Sequence, residues 1–470
     1  MTPAPATDAP DGGRDVSPAL DRLAADAALL AARRRHTPGS TYRFQFHRDF
    51  TLADATRLVP YLHALGVTHV YASPILKAKP GSHHGYDVVD PTRLNPEVGT
   101  EEDFAAFSAA LHDHGMGLIL DAVPNHMCTG TDNPWWADVL EHGPSSPHGE
   151  FFDIGWFDSP RPGMHGRLLL PVLGEPYGSA LEGGHLRLGF EDGRFVIRYY
   201  DTVLPIDPRT YGLILGPAVE DLKAGHGLEH PDVIELRSIL NQVKHLPPRG
   251  EPSPERIVEG RVECAVLKRR LVESRERFPV AAEAVRAEAA KLAGTPGDPA
   301  SFARLDELLE AQAYRVCFWR VASDEINYRR FFDVNELAAV STEREDVFRT
   351  IHRKLLGWLA AGQADGLRID HPDGLYDPKG YLDRLQLHAL LATARGVLEA
   401  APESYPGVEW DRDEPALAER LARRRSTSWS RKSSGTTSPC RPTGRATGRP
   451  ATSSSTPSTG CSWTRPARRR

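Results

Sequence analysis

The sequence predicts an α/β fold, a (β/α)8 barrel of which about four strands and one large insertion are present. Three observations carry that expectation. Strand and helix patterns alternate from residue 41 to residue 123, the rhythm of a parallel sheet with crossover helices. The rhythm then stops after PNHM and returns only in a helix at 343–361 that feeds one more strand. No glycine-rich phosphate or dinucleotide loop follows the first strand, which sets an open nucleotide-binding sheet aside.

The elements follow in order. Residues 1–36, rich in Pro, Ala, Gly and Asp, are expected to be a disordered leader. Within it RLAADAALLAARRR (22–35) allows a helical turn or two. The leader lacks a basic start and an apolar core, so it does not read as a signal peptide. TYRFQF (41–46) alternates as a short first strand. TLADATRLVPYLHALG follows, where Leu52, Leu58, Leu62 and Leu65 mark a helix ending at Gly66. VTHVYASP (67–74) is a β-branched second strand broken by proline. The loop ILKAKPGSHHGYDVVDPTRLNPEVGT leads to the helix EEDFAAFSAALHDHG. GLILDAV (117–123) is then a third strand, its unbroken apolar run suited to burial on both faces. Residues 37–127 are thus the first part of the barrel. Residues 128–342 read as an α+β insertion: HLRLGF-EDG-RFVIRYY (185–200) is a β-hairpin turning at Asp192 and Gly193, and 254–293 and 301–330 carry long helical patterns. The helix at 343–361 delivers GLRID (366–370), the fourth strand, in a barrel continuation running to 424.

Apolar content of 40% and charged content of 26% fit a soluble globular protein. No run of about 18 apolar residues occurs, which excludes a membrane helix. The net charge of −6 hides a division. Residues 1–424 hold 47 Lys and Arg against 63 Asp and Glu, a net of −16, while 425–470 hold ten Lys or Arg and no acid. The acidic body argues against nucleic acid as a partner. Cys128, Cys264, Cys317, Cys440 and Cys461 are widely spaced and read as free thiols of a cytoplasmic protein.

In barrels of this kind functional groups lie at the carboxyl ends of the strands. Three segments put polar groups there: HHGYDVVD (83–90), DAVPNH (121–126) and GLRIDH (366–371). Glycoside chemistry needs such a set, in which one carboxylate attacks or shields an oxocarbenium-like centre and a second carboxyl group protonates the leaving oxygen. Arg368 and Asp370 stand two apart on a strand, so their side chains point the same way. The guanidinium would keep Asp370 ionised, as a nucleophile requires; a structural ion pair is the other reading. Asp121 reads first as a buried group holding neighbouring loops. Asn125 and His126 suit either loop caps or hydrogen bonds to sugar hydroxyls, and Tyr86 either packing or a sugar-stacking face. The tandem His83 and His84 have no convergent third ligand in the sequence, so no metal site is assigned.

The stretches STYRFQF, GVTHVYASPILKAKPGSHHGYDVVDP, LNPEVGT, GLILDAVPNHM, AYRVCFWRVASDEINYRRFFDVNELAAV and GLRIDHPDGLYDP resemble the maltooligosyl trehalose synthase family, a specialised branch of the α-amylase superfamily. The resemblance runs from about residue 38 to about 424. It implies an intramolecular transglucosylation that converts the reducing-end α-1,4 linkage of a maltooligosaccharide into an α,α-1,1 linkage, with no cofactor. On that resemblance Asp370 is the catalytic nucleophile and Arg368 orients it. His126, Asn125 and Asp121 surround the sugar in subsite −1, and Tyr86 stacks on it. A hydrolysing α-amylase-type enzyme and a non-catalytic glucan-binding protein are the alternatives.

The family's general acid is a glutamate ending the next strand, in a run like VVVEK, and nothing of the kind occurs here. Residues 425–470 contain twenty Ser and Thr and no Leu, Ile, Val, Phe, Tyr or Met. Taken alone they read as a disordered basic tail. With GC-rich codons read one nucleotide earlier, STSWSRK becomes LYVVVEK, and the stretch from Thr447 permits GTTGYEFLNAVNGLFVDP. The tail is therefore expected to be out of frame, with the missing acid encoded across the codons of Ser430 and Arg431. Half a barrel leaves strand edges unpaired, so the chain as written is expected to fold poorly and to be inactive.

Overall fold

The computed structural model describes residues 16–251 and 253–433. Its barrel part is one parallel sheet of four strands in sequence order: β1 (Thr41–Phe44), β2 (His69–Ala72), β3 (Gly117–Ala122) and β4 (Gly366–Ile369). Register decides which chemistry meets which. Arg43 lies opposite Tyr71, Tyr71 opposite Ile119, and Asp121 opposite Arg368. Because side chains alternate along a strand, Arg43, Tyr71, Asp121 and Arg368 share one face. Val70, Ala72, Leu118, Leu120 and Ala122 share the other. That apolar face is buried against Leu52, Val59 and Leu62 of helix Leu52–Ala64, Phe104 and Phe107 of helix Glu101–Asp113, and Leu355 and Trp358 of helix Glu345–Ala360. Both early helices start at capping boxes, Thr51 with Asp54 and Thr100 with Asp103, which satisfy first-turn amides and fix where the chain turns back.

Two segments before the tail differ from the sequence expectation. The leader is not wholly disordered: Ser17–Arg33 is a helix that buries Leu20, Leu23, Ala24 and Ala27 against Leu391, Ala394 and Leu398 of helix Pro378–Ala400. Alanine-rich stretches are strong helix formers, and the Leu20–Leu23–Ala24–Ala27 spacing makes one apolar face. Residues 1–15 lie outside the described residues. The helical pattern at 301–330 is also interrupted. Tyr314–Phe318 is a strand pairing in parallel with Leu168–Leu173, and Tyr314 and Val316 alternate into the core.

The hairpin at 185–200 forms, with Leu186–Glu191 and Arg194–Tyr199 joined through Asp192 and Gly193 at φ 47° and 79°. A further antiparallel pairing matters for the site. His126–Cys128, just past β3, pairs with Val334–Ala339, which also pairs with Arg330–Phe331. This small sheet carries the INYRRFF segment onto the end of β3.

Residues to Leu421 form one compact unit, and Ala422 begins a second. The helix Trp410–Ser433 enters residues 425–433 of the expected disordered tail, where no Gly or Pro interrupts it. The rest of that tail, 434–470, lies outside the described residues. No helix among the described residues is long and apolar enough to cross a membrane.

Candidate active site at the carboxyl ends of the strands

The site is built around one guanidinium. Arg368 donates from Nη1 to both oxygens of Asp121 at 3.0 and 3.2 Å, and to Oδ1 of Asp370 at 2.6 Å. The backbone joins these partners as well, since the Asp370 amide donates to the Ala122 carbonyl at 2.9 Å. Asp370 stops the strand because His371 takes a left-handed conformation, φ 46°. That conformation is uncommon for a residue with a Cβ and turns the chain away from β4.

Asp121 is the buried centre of the cluster. Its Oδ2 accepts from the Tyr71 hydroxyl and, at 2.7 Å, from the Tyr86 hydroxyl. Burial pushes its carboxyl above the ordinary range, against the pull of both tyrosines and Arg368. Partial burial works against the Arg368 charge, but Asp121 and Asp370 outweigh it and hold the guanidinium above its ordinary value. Burial, then the bond to Asp121, raises the Tyr71 and Tyr86 phenols, so both stay protonated donors. Arg43 completes the ring of contacts: its guanidinium lies 5.4 Å from the Tyr71 ring centroid and donates to Tyr86 Oη at 3.5 Å.

His126 differs from its neighbours. It is only 1% exposed, and among the described residues neither ring nitrogen has a hydrogen-bond partner of good geometry. Burial lowers its pKa to about 4, although Asp370 pulls the other way. A neutral imidazole facing Asp370 without partners is short of hydrogen bonds, which a polyhydroxylated ligand would provide. Phe331 covers the ring at a centroid distance of 4.1 Å, and Phe331 and Phe332 each lie 5.0 Å from His371. Asn125 is buried as well, but it is engaged: its Oδ1 accepts from Arg329 at 3.2 Å, and the same nitrogen reaches the Gly374 carbonyl at 2.9 Å. Arg329 thus ties the insertion to the loop after β4.

All six residues singled out in the sequence meet in this region: Asp370, Arg368 and Asp121 through Arg368, Tyr86 through Asp121, and His126 and Asn125 just past the end of β3. Sequence reasoning missed Tyr71, Arg43 and Arg329. The first two carried a signal, since Arg43 and Gln45 alternate with Phe44 and Phe46, and Tyr71 stands at the matching parity in the next strand. A cavity of about 640 Å³ between the hairpin and helix Pro279–Leu292 shares no residue with the cluster.

The strand-terminal carboxylates and the arginine beside them lie on a parallel sheet that belongs to the barrel fold of the α-amylase superfamily. The family profile "Alpha amylase, catalytic domain" matches residues 51–171. A Mycobacterium tuberculosis (strain H37Rv) protein named for maltooligosyl trehalose synthase is 33% identical over 357 residues, covering 74% of this chain and 32% of the relative. The solved maltooligosyltrehalose synthase of Arthrobacter ramosus is 32% identical with a TM-score of 0.50, covering 75% of this chain and 34% of that one. A crystal structure of another maltooligosyl trehalose synthase is 26% identical, also with a TM-score of 0.50, covering 74% and 34%. The chain belongs to the maltooligosyl trehalose synthase family. It spans about a third of the length of these relatives.

Proposed function

We propose that the site performs an intramolecular transglucosylation of maltooligosaccharides, with Asp370 as the nucleophile. The observation that carries the reading is the Arg368 bridge, which holds Asp370 beside Asp121 at the ends of adjacent strands. In the proposed step Asp370 attacks the anomeric carbon next to the reducing-end glucose, and a glycosyl-enzyme forms with inversion. The released glucose stays bound, turns, and attacks through its own anomeric hydroxyl. The second inversion restores the α configuration and yields an α,α-1,1 linkage. Asp121 holds the Tyr86 hydroxyl so that the Tyr86 ring stacks on the sugar, while His126 and Asn125 contact its hydroxyls. Phe331 and the loop after β4 limit access of water, which would otherwise release glucose. The reading includes a cytoplasmic location, which free thiols at Cys128, Cys264 and Cys317 support.

Departure of the leaving oxygen needs a proton donor. Among the described residues no glutamate side chain bonds to Asp370, Arg368 or Asp121. This sets the design of the test, because fluoride leaves without protonation. The chain is incubated with 5-fluoro-α-glucosyl fluoride, digested and examined by mass spectrometry. A glycosyl adduct on the peptide containing Asp370, absent from Asp370→Asn, is the expected result. Adduct formation elsewhere, or none on a folded chain, overturns the assignment. Restoring the reading frame across codons 425–470 and supplying maltopentaose then separates transglucosylation, with its non-reducing product, from hydrolysis to glucose and shorter glucans.

A further inference from the structure

The tandem histidines of the Tyr86 loop lack a third ligand in the sequence, but the fold supplies two. After β1 the chain makes a tight reversal in which His47 and Phe50 exchange both backbone hydrogen bonds, at 3.1 and 2.9 Å. This holds His47 and Asp49 at the tip of one short loop. From the other side, Gln45 Nε2 donates to the His83 carbonyl at 2.7 Å and fixes the backbone of that residue. The His47 and His83 rings lie 5.5 Å apart between centroids, tilted by 59°. One potential ligand atom from each of His47, Asp49 and His83 lies within 4.8 Å of the other two.

From this convergence we propose that His47, Asp49 and His83 form a binding site for a divalent borderline metal ion of the zinc type, outside the carboxylate cluster. Two imidazoles and one carboxylate are a nitrogen-rich set that suits zinc, cobalt or nickel rather than magnesium or calcium. Three protein ligands leave a fourth position for water. Tetrahedral zinc places its ligand atoms about 3.4 Å apart, so atoms up to 4.8 Å apart close by at most about 1.4 Å around the ion, a movement open to the exposed Asp49 and His83 beside a half-buried His47. The lone pair of His47 Nδ1 already accepts from the Asp49 amide at 3.1 Å and carries no proton in that tautomer. The ion takes the place of that amide. Neither ring nitrogen of His83 is engaged by a described residue. The competitor for Asp49 is Arg48, at 3.7 Å and 61% exposed, a weak solvent-screened pair that the ion displaces. A bound ion cross-links the end of β1 to the loop that carries Tyr86, three residues beyond His83.

The test uses the full 470-residue chain, titrated with cobalt(II) and followed by visible absorption, with zinc as competitor. One equivalent with a four-coordinate nitrogen and oxygen spectrum is expected, displaced by zinc. Loss of an outer partner of a metal ligand costs about 10–100-fold in affinity, so losing a ligand itself in His83→Ala or Asp49→Ala is expected to weaken binding at least about tenfold. His84→Ala, on the neighbouring imidazole, is expected to leave it unchanged. Zinc is also expected to raise the thermal midpoint of the parent chain and not of His83→Ala. Equal affinity in His83→Ala, a greater loss in His84→Ala, or a thiolate charge-transfer band on the bound equivalent would each overturn the site.

Discussion

Arg368 is the residue through which the site is assembled, because one of its nitrogens, Nη1, reaches both carboxylates at once. A lysine carries its ammonium on a shorter, flexible stem that does not hold a nitrogen at that point. Arg368→Lys is therefore expected to slow formation of the Asp370 adduct by about 100-fold, the cost of roughly an ångström of misplacement. Global stability should change by less than about 1 kcal/mol, since the guanidinium is 43% exposed and screened. Adduct kinetics and urea unfolding measured together separate the two effects. His126 gives a second prediction at this scale. The unfolded imidazole takes up a proton near pH 6.5, whereas the folded one does so only near 4. Between those values the unfolded chain binds more protons, so stability falls as pH drops through that window and is fully present above it. The contribution is on the order of 3 kcal/mol, and buried His352, also near 4, acts in the same direction. Urea unfolding at pH 7 and pH 4.5 is expected to show a smaller pH loss in His126→Gln than in the parent chain.

At the scale of elements, the loop from Pro74 to Asp87 matters more than its irregular backbone suggests. Gly85 has φ 78°, and a Cβ there would lie 2.3 Å from the Pro74 carbonyl oxygen. The proline that stops β2 and the glycine before Tyr86 thus form one close backbone contact that aims the phenol at Asp121. Gly85→Ala is expected to cost at least about 2 kcal/mol and to break the Tyr86–Asp121 bond, readable as lower stability together with slower trapping of Asp370. The strands and early helices of this part were legible because each has a simple period and a terminator. GLILDA ends at Pro124, and Thr51 and Thr100 start helices through their own hydroxyls. The leader helix was legible only as a turn or two at 22–35, because composition averaged over 1–36 outweighed a short apolar face that packs against Leu391 and Leu398. The strand Tyr314–Phe318 was hidden because its partner, Leu168–Leu173, is far away in sequence. Arg329 was illegible as a site residue for the same reason, since its partner Asn125 comes from another element, while the parity of Tyr71 in its strand showed its face but not its partner Asp121.

On the scale of the whole molecule, the four strands are not equally protected. β3, in the sheet interior, is buried at every position but Ile119. β1 is exposed at three of its four residues, and β4 is half-buried or exposed throughout. No further described strand pairs with the outer edge of either. A free strand edge presents a row of unpaired amides and carbonyls, and pairing with another edge satisfies them at little cost. β1 adds Tyr42 to that edge, a large side chain 44% exposed. The chain is therefore expected to self-associate with rising concentration through the edges of the sheet. Sedimentation velocity over a dilution series tests this, with Tyr42→Lys as the informative variant. A lysine on an edge strand opposes docking by charge and hydration, and because Tyr42 is already 44% exposed the change costs little beyond its ring contact with Phe44. Weaker association in Tyr42→Lys locates the contact at β1. A monomer at every concentration would mean that these edges are shielded, and the half-exposed residues of β4 would then need another explanation.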